Sequence, residues 1–410
     1  MRHRLPPALR ERDFVLLWTS SLANGFALQM IVVAIGWQVY SIHRDPLDLG
    51  LVGLAEFLPL PILALPAGQL ADRVERRLVV AVGLAFQAGI AAALIVITLE
   101  GAKDLAPFLG IAVAAGIASA VTNPAGRALT PEVVPAELLP GAVALRSVAN
   151  QAGIVVGPAI GGVIFAIEPV AVYIIAAALF LLACVTILFV RARAAMAPAT
   201  ELNWQNLTAG VGFIVRTRML LGAISLDLVA VLLGDSIALA PVFARSILDV
   251  GPAGLGALRA APSAGALAAG LVLARHPLRR RAGPTLLTVV AAFGVAMIVF
   301  GLSRSLTVSL VALAAGGFVD MISMNIRATT VLLVTPRELQ GRVSAVEWVF
   351  ISASNELGAF ESGVVASLIG AQAAVVAGGV LMIGVAAAWR RLFPSLAQMG
   401  RLDELQPAPV

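Results

Sequence analysis

Apolar segments long enough to cross a lipid bilayer recur twelve times along the 410-residue chain. A helix needs about 20 apolar residues to span the hydrocarbon core, and backbone groups without water must pair within the segment, which favours helix. We therefore predict an all-α polytopic membrane protein with twelve transmembrane helices. The predicted spans are 14–40, 49–71, 78–99, 105–127, 141–167, 169–190, 219–243, 252–274, 283–303, 306–328, 341–366 and 370–392.

The composition excludes a soluble protein of this size. Hydrophobic residues make up 60% of the chain and charged residues 12%, and the mean hydropathy is +0.97, whereas soluble domains are about 25% charged. The single cysteine, Cys184, allows no internal disulfide and no cysteine-based metal site. His3, His43 and His276 all lie outside the apolar spans, so a buried histidine relay is not available. We expect neither a metal nor a cofactor.

The lysine and arginine residues are divided unequally between the two sides of the predicted membrane. If the N-terminus is cytoplasmic, 23 of the 28 basic residues flank spans on that side and four lie on the other side, namely Arg44, Lys103, Arg245 and Arg304. Short loops rich in basic residues stay in the cytoplasm. Both termini are therefore predicted to be cytoplasmic.

The chain also reads as two related halves. Residues 191–218 form the one long linker, and its part from 204 to 218 could lie at the interface as an amphipathic helix. Arg127-Ala128 precedes a PAEL stretch, and Arg327-Ala328 precedes a PREL stretch, each at the end of the fourth span of its half. Such duplication is typical of secondary transporters. It predicts two pseudo-symmetric six-helix halves, 1–190 and 219–410.

The loop between the second and third spans carries a recognisable motif. Its sequence, GQLADRVERR, resembles the signature between helices 2 and 3 of the major facilitator superfamily, with a glutamate in place of the second glycine. The loop and the later stretch TPRELQGR look like the enterobactin-exporter-like, drug-efflux branch of that superfamily. The matching residues are Gly68, Asp72, Arg73, Arg76 and Arg77. The resemblance implies the superfamily fold and a transport function.

This loop could act as a latch between the halves on the cytoplasmic side. Asp72 could face the positive N-terminal end of the eleventh helix or pair with Arg127. The arginines could meet lipid phosphates or the carboxyl ends of helices. The alternative is that the arginines only set topology, but orientation alone does not require Gly68 or Asp72.

The fifth span contains GIVVGPAIGG, which resembles the signature of drug–proton antiporters of the superfamily. The residues that match it are Gly153, Gly157, Pro158, Gly161 and Gly162. Three of these glycines are spaced four apart and so share one helix face, against which another helix can pack closely. The motif favours export, and the alternative is ordinary packing of small residues.

Ionisable residues inside spans are costly in lipid and usually face a cavity or a partner. The resemblance places Glu56 and Glu356 on facing helices at similar depth, where one of two nearby carboxylates would hold a proton. Asp235, Glu361 and Arg259 are further candidates for coupling or for a substrate cavity. Structural pairing is the expected role of Asp227, Asp320 and Glu347.

The leading hypothesis is a proton-coupled exporter of a small molecule. The resemblance suggests a siderophore such as enterobactin or amphiphilic drugs, with a monomer in the cytoplasmic membrane of a bacterial-type cell and lipids around it. An importer of a small nutrient on the same fold is the alternative. A membrane-embedded enzyme would need a cluster of histidine, aspartate or cysteine at one interface, which the spans do not offer. The excess of basic over acidic residues reflects the arginines that set membrane topology, and it indicates no nucleic-acid partner.

Overall fold

The computed structural model describes residues 6–63, 74–191, 204–234, 236–278 and 281–407. Four of the predicted functional residues lie outside these ranges, namely Gly68, Asp72, Arg73 and Asp235. Every regular element within the described ranges is a helix.

Within the described residues, six helices of 12 residues or more form the first part of the chain. A turn at Leu58 interrupts the second predicted span, which is helical again up to Leu63, and its predicted remainder, 64–71, lies outside the described residues. Pro59 and Pro61 lie just beyond the turn, and proline removes a helical N–H donor. A short helix, Thr130–Val133, follows the fourth. The bounds are Arg12–His43 (α1), Pro46–Phe57 (α2), Arg76–Leu99 (α3), Ala106–Ala128 (α4), Leu139–Ile167 (α5) and Pro169–Leu188 (α6).

The second part begins with the linker helix, Trp204–Arg216, at the place where an amphipathic interfacial helix is predicted. Short helical turns from Ser236 to Ile247 follow the seventh long helix. The long helices that the structure describes here are Arg218–Gly234 (α7), Gly251–Arg275 (α8), Ala282–Leu302 (α9), Leu306–Val334 (α10), Gln340–Ile369 (α11) and Ala371–Leu392 (α12).

Eleven helices within the described ranges are long and apolar enough to cross a membrane. They correspond to eleven of the twelve predicted spans. The remaining span is α11, which is 30 residues long and carries Glu347, Glu356 and Glu361. These acids lower the apolar character of α11 without shortening the helix.

The predicted end of the tenth span was wrong by six residues. It was placed at residue 328, after Arg327, but α10 continues to Val334. Arg327 does not flank a loop: it is buried inside α10 and pairs with Asp227 of α7. An arginine that is paired with a carboxylate can remain inside a membrane-spanning helix. The charge of Arg327 therefore did not mark the end of the span.

Contacts between residues divide the chain into two compact units. Unit 1 comprises Met1–Arg44, Ala55–Glu201 and Val250–Ala260. In it, α1 packs against α5 and α6, and α3 packs against α4 and α6. The amide of Gln38 links α1 to α3 and α6, through bonds of 2.9 Å to Thr98 and 2.5 Å to Tyr173.

Unit 2 comprises Asp45–Leu54, Leu202–Asp249 and Ala261–Val410. In it, α9 packs against α10 and α12, and α11 packs against α7 and the linker helix. One apolar core of this unit gathers Leu226 of α7, Leu286 of α9, Ile326 of α10 and Met382 of α12. The division into halves at 1–190 and 219–410 stays a prediction.

Candidate functional site

A cavity of about 640 Å³ lies within unit 1, between α1, α3, α4 and α5. Its apolar lining includes Leu17, Leu84 and Val143, and the rest of the wall is largely polar. The polar lining residues are Ser20, Ser21, Asn24, Thr122, Asn123, Arg127, Thr130, Arg146, Ser147 and Asn150. A space of this size, with a few convergent polar groups, has the character of a small-molecule site.

Arg146, which lines this cavity, is fixed by two hydrogen bonds. Its Nη1 donates to the carbonyl oxygen of Gly126 at 2.6 Å and to Oγ1 of Thr130 at 2.5 Å. Both acceptors are neutral and come from the end of α4 and from the start of the short helix that follows it. They hold the guanidinium of Arg146 in place. Because both are neutral, these two bonds do not neutralise its positive charge.

The charged residues that line this cavity, among those that the structure describes, are both arginines. Arg127 and Arg146 both line it, and their like charges act on each other. Within the described part of the chain, no aspartate or glutamate lines the cavity. A guanidinium presents several donors in a planar fork that matches carboxylate and phosphate groups.

The related position in unit 2 is built differently. Arg327, the counterpart of Arg127 in the internal repeat, forms an ion pair with Asp227, which is the structural role expected of that aspartate. Asp320 lies 3.9 Å from the same guanidinium, and Glu347 also interacts with it electrostatically. The space here is about 10 Å³. In unit 2 the guanidinium is thus paired with a carboxylate and little open space remains beside it.

The glycines of α5 lie against other helices of unit 1. A Cβ added to Gly153 would come within 2.8 Å of Gly25 C, one on Gly157 within 2.7 Å of Gln29 Cβ, and one on Gly161 within 2.8 Å of Met30 Cα. This face of α5 therefore allows its backbone to approach α1 closely.

Gly162 allows α5 to pack closely against the first part of α8 as well. A Cβ there would lie 2.5 Å from the carbonyl oxygen of Pro252 and 2.9 Å from Cα of Gly256. Arg259 is three residues beyond Gly256 on α8, and it is partly buried. It does not line the cavity described above.

In unit 2, the first part of α2 packs closely on the second half of α11. A Cβ on Gly363 would lie 3.0 Å from Cα of Gly50, and one on Gly53 would lie 3.5 Å from Oε2 of Glu356. The carboxylate of Glu356 thus reaches the Gly53 side of α2. Glu356 is partly buried.

Glu56 and Glu361, two further acids predicted to act in coupling, are described in turn. Glu56 lies near the end of α2, and its backbone carbonyl approaches Gly116 of α4 within unit 1. Glu361 lines a small cavity of about 40 Å³ in unit 2, whose walls are mostly apolar and include Leu233 and Val375. Neither carboxylate lines the 640 Å³ cavity.

Arg76 and Arg77, the arginines of the loop motif that lie in the described ranges, form their contacts with other residues of unit 1. Arg76 forms an ion pair of 2.5 Å with Glu132 of the short helix after α4. Arg77 donates to the carbonyl oxygen of Val190, just beyond the end of α6, at 3.0 Å and pairs with Glu75 at 2.7 Å. The contact to Val190 is of the kind expected for an arginine near a helix carboxyl end.

Sequence reasoning missed several of these residues. Glu132, the partner of Arg76, and Asn123 and Thr130 in the cavity were not singled out. Asn123 and Thr130 flank Arg127 in the sequence at spacings of four and three, so they fall on one side of the chain as it leaves α4. That spacing is the signal that could have found them.

Comparison with known proteins agrees with this architecture. The family model described as transmembrane secretion effector matches residues 5–406. The multidrug efflux pump Tap of Mycolicibacterium fortuitum is 29% identical over 390 residues, which cover 91% of this chain and 94% of Tap. The uncharacterised MFS-type transporter YfiS of Bacillus subtilis (strain 168) is 26% identical over 370 residues, 86% of each chain.

Solved structures resemble this fold at low sequence identity. A crystal structure of the nucleoside transporter NupG superimposes with a TM-score of 0.74 and covers 93% of this chain and 100% of its own, at 12% identity. At that identity the likeness establishes the fold, which is the predicted all-α transporter fold.

Proposed function

Because the chain belongs to the transmembrane secretion effector family of the major facilitator superfamily, we propose that it is a secondary exporter that couples inward proton flow to removal of a small molecule from the cytoplasm. The membership makes the chain an integral membrane transporter. Direction, coupling ion and substrate are the proposed parts. Both termini are proposed to be cytoplasmic and the transporter to act as a monomer.

The 640 Å³ cavity of unit 1 is the observation that carries this proposal. It lies at the end of α4 and the start of α5, which the distribution of basic residues assigns to the cytoplasmic side. A substrate site at that end of the helices would suit a transporter that collects its cargo in the cell. The similarity to Tap supports drug efflux, and a siderophore is the other proposed cargo.

Glu56 and Glu356 are the proposed proton carriers. Both are acids inside membrane-spanning helices, where an ionised carboxylate is costly and a protonated one is not. Neither lines the cavity that would hold the cargo, so the proton could bind apart from the substrate. The loop motif, with Arg76 and Arg77 anchored within unit 1, is proposed to latch the cytoplasmic side.

Transport into inverted membrane vesicles tests the proposal, because export from a cell becomes uptake in that preparation. Labelled amphiphilic drugs and a catecholate siderophore are offered with the vesicle lumen acidic. We expect uptake of one class that stops when nigericin collapses the pH gradient. A gradient of sodium in place of protons should drive none.

Glu56→Gln and Glu356→Gln separate coupling from binding. Each is expected to reduce gradient-driven uptake to the level of vesicles without the transporter, because a neutral amide cannot carry the proton. Exchange of labelled for unlabelled substrate, which needs no gradient, should survive. Glu137→Gln, at an exposed position before α5, is the matched control and should transport normally. Gradient-driven uptake that persists in both variants would make these acids structural.

A further inference from the structure

We propose that Asn24, Asn123 and Asn150 bind the cargo in the cavity of unit 1 through hydrogen bonds and select molecules that carry an amide or hydroxyl group. This role rests on the proposed function, which takes the 640 Å³ cavity to be the cargo site. The three amides come from α1, α4 and α5, and all of them line this cavity. The cargo must therefore offer matching hydrogen-bonding groups, a requirement that the volume of the cavity alone does not set.

The three amide side chains are accessible to an occupant of the cavity. Those of Asn123 and Asn150 are exposed and that of Asn24 is half-buried, although all three lie inside membrane-spanning helices. Lipid offers an amide no hydrogen-bond partner, so polar residues inside spans usually face a cavity or a partner. A polar occupant of the cavity supplies such a partner.

Several hydroxyl groups of the same wall donate to backbone carbonyl groups instead. Ser21, Thr122 and Ser147 each donate to the carbonyl oxygen four residues earlier in their own helix, and Ser20 donates to that of Ala183 in α6. The amides differ in kind, because each carries an NH₂ donor and a carbonyl acceptor. An amide or hydroxyl group of the cargo also donates and accepts, so it can pair with both atoms of such a side chain.

Asn24 and Asn150 lie at similar depth. Asn24 is about 18 Å along α1 from the first residue of that helix, and Asn150 is about 17 Å along α5 from its first residue. The two helices approach closely at Gly25 and Gly153, where a Cβ on Gly153 would lie 2.8 Å from Gly25 C. Both amides are within one helical turn of this contact. One cargo molecule in the cavity can therefore meet both.

The internal repeat supports a role of the amides that is specific to unit 1. Pro135 and Pro336 are equivalent in the repeated PAEL and PREL stretches, and counting fifteen residues on from each reaches Asn150 in unit 1 and Ile351 in unit 2. Ile351 lines the space of about 10 Å³ in unit 2. An apolar side chain thus serves the packing of the equivalent helix, and an amide beside the large cavity indicates binding.

Equilibrium binding to the purified full chain in phosphatidylcholine nanodiscs tests the proposal. The probes are chloramphenicol, a neutral amphiphile with amide and hydroxyl groups, and phenyl β-glucoside, which has hydroxyl groups alone. Tetraphenylphosphonium, which has no hydrogen-bonding group, is the comparison. We expect Asn24→Leu, Asn123→Leu and Asn150→Leu each to weaken chloramphenicol binding about fivefold, because each removes a neutral hydrogen bond. Binding of tetraphenylphosphonium should not fall.

Control variants separate hydrogen bonding from folding. Asn150→Gln keeps an amide and should retain most of the affinity that Asn150→Leu loses. Asn325→Leu makes the same change at an exposed position of α10 that does not line the cavity, and it should leave binding unchanged. Thermal unfolding of each variant in the same nanodiscs shows whether a loss of binding has a cause other than unfolding.

Failure of both chloramphenicol and phenyl β-glucoside to bind, or affinities unchanged in all three leucine variants, would overturn the proposal. Equal losses for chloramphenicol and tetraphenylphosphonium in folded variants would also overturn it, because they would indicate a change in the shape of the cavity. Chloramphenicol binding that depends on the amides, without gradient-driven uptake into vesicles, would instead remove the proposed exporter function alone.

Discussion

Replacing Asp227 with leucine is expected to lower the free energy of unfolding by about 3 kcal/mol, because removal of one partner leaves a buried charge uncompensated. The Arg327 side chain is 11% exposed and that of Asp227 17%. Asp320, at 3.9 Å, and Glu347 remain near the guanidinium. The loss of unfolding free energy should therefore lie near the lower end of the range for breaking a buried ion pair. Thermal unfolding of purified protein measures the change.

A double substitution provides the internal control for this prediction. Asp227→Leu combined with Arg327→Met removes both charges and should recover much of the stability, since apolar replacement of a buried pair is often neutral. Asp403→Leu, which breaks an exposed pair with Arg401, should leave the unfolding temperature unchanged. Simple additivity of the two single effects at the buried pair would contradict the assigned pairing.

Gly162→Val is expected to prevent correct packing of α5 against the first part of α8. A Cβ already lies 2.5 Å from the Pro252 carbonyl oxygen and 2.9 Å from Gly256 Cα. These are backbone atoms, which cannot rotate aside as a side chain can. Overpacking of a tight core costs about 1–3 kcal/mol and occasionally more, and backbone obstruction belongs at the upper end. We expect loss of the monodisperse folded peak in size-exclusion chromatography.

Gly141→Val is the matched control on the same helix. A Cβ at Gly141 meets nothing within 4 Å, so this variant should fold and elute normally. If Gly162→Val and Gly141→Val behave alike, the close approach of α5 and α8 has no role in the fold. Transport by a folded Gly162→Val variant would also argue against a need for the glycine motif.

The long helices were predictable because hydrophobic length alone identifies a membrane span. Most predicted edges lie close to the observed ones: α8 was predicted at 252–274 and runs from Gly251 to Arg275. The linker helix also lies where its pattern of apolar and polar residues places it. The error at the end of α10 arose at Arg327, whose charge indicates a boundary unless the buried partner is known.

The partners of the charged groups were less accessible to sequence reasoning. Arg327 and Asp227 are 100 residues apart, and Arg76 and Glu132 are 56 apart. A span that is apolar on all sides carries little signal for the rotation of its helix, and rotation decides which side chains meet. The 640 Å³ cavity depends on the rotations of α4 and α5 together, so the presence of Arg127 and Arg146 in the sequence did not reveal it.

The most direct test of proton-coupled export is the sign of proton movement when substrate flows down its own gradient. Proteoliposomes are loaded with a permanently charged drug that the vesicle assay identifies as a substrate and with a pH-sensitive dye; the membrane potential is clamped with valinomycin. On dilution into drug-free buffer, exchange of drug for protons predicts that the lumen becomes acidic, and that the signal is lost in Glu356→Gln. A lumen that becomes alkaline would show cotransport in one direction, and an unchanged pH during drug release would show that protons are not coupled.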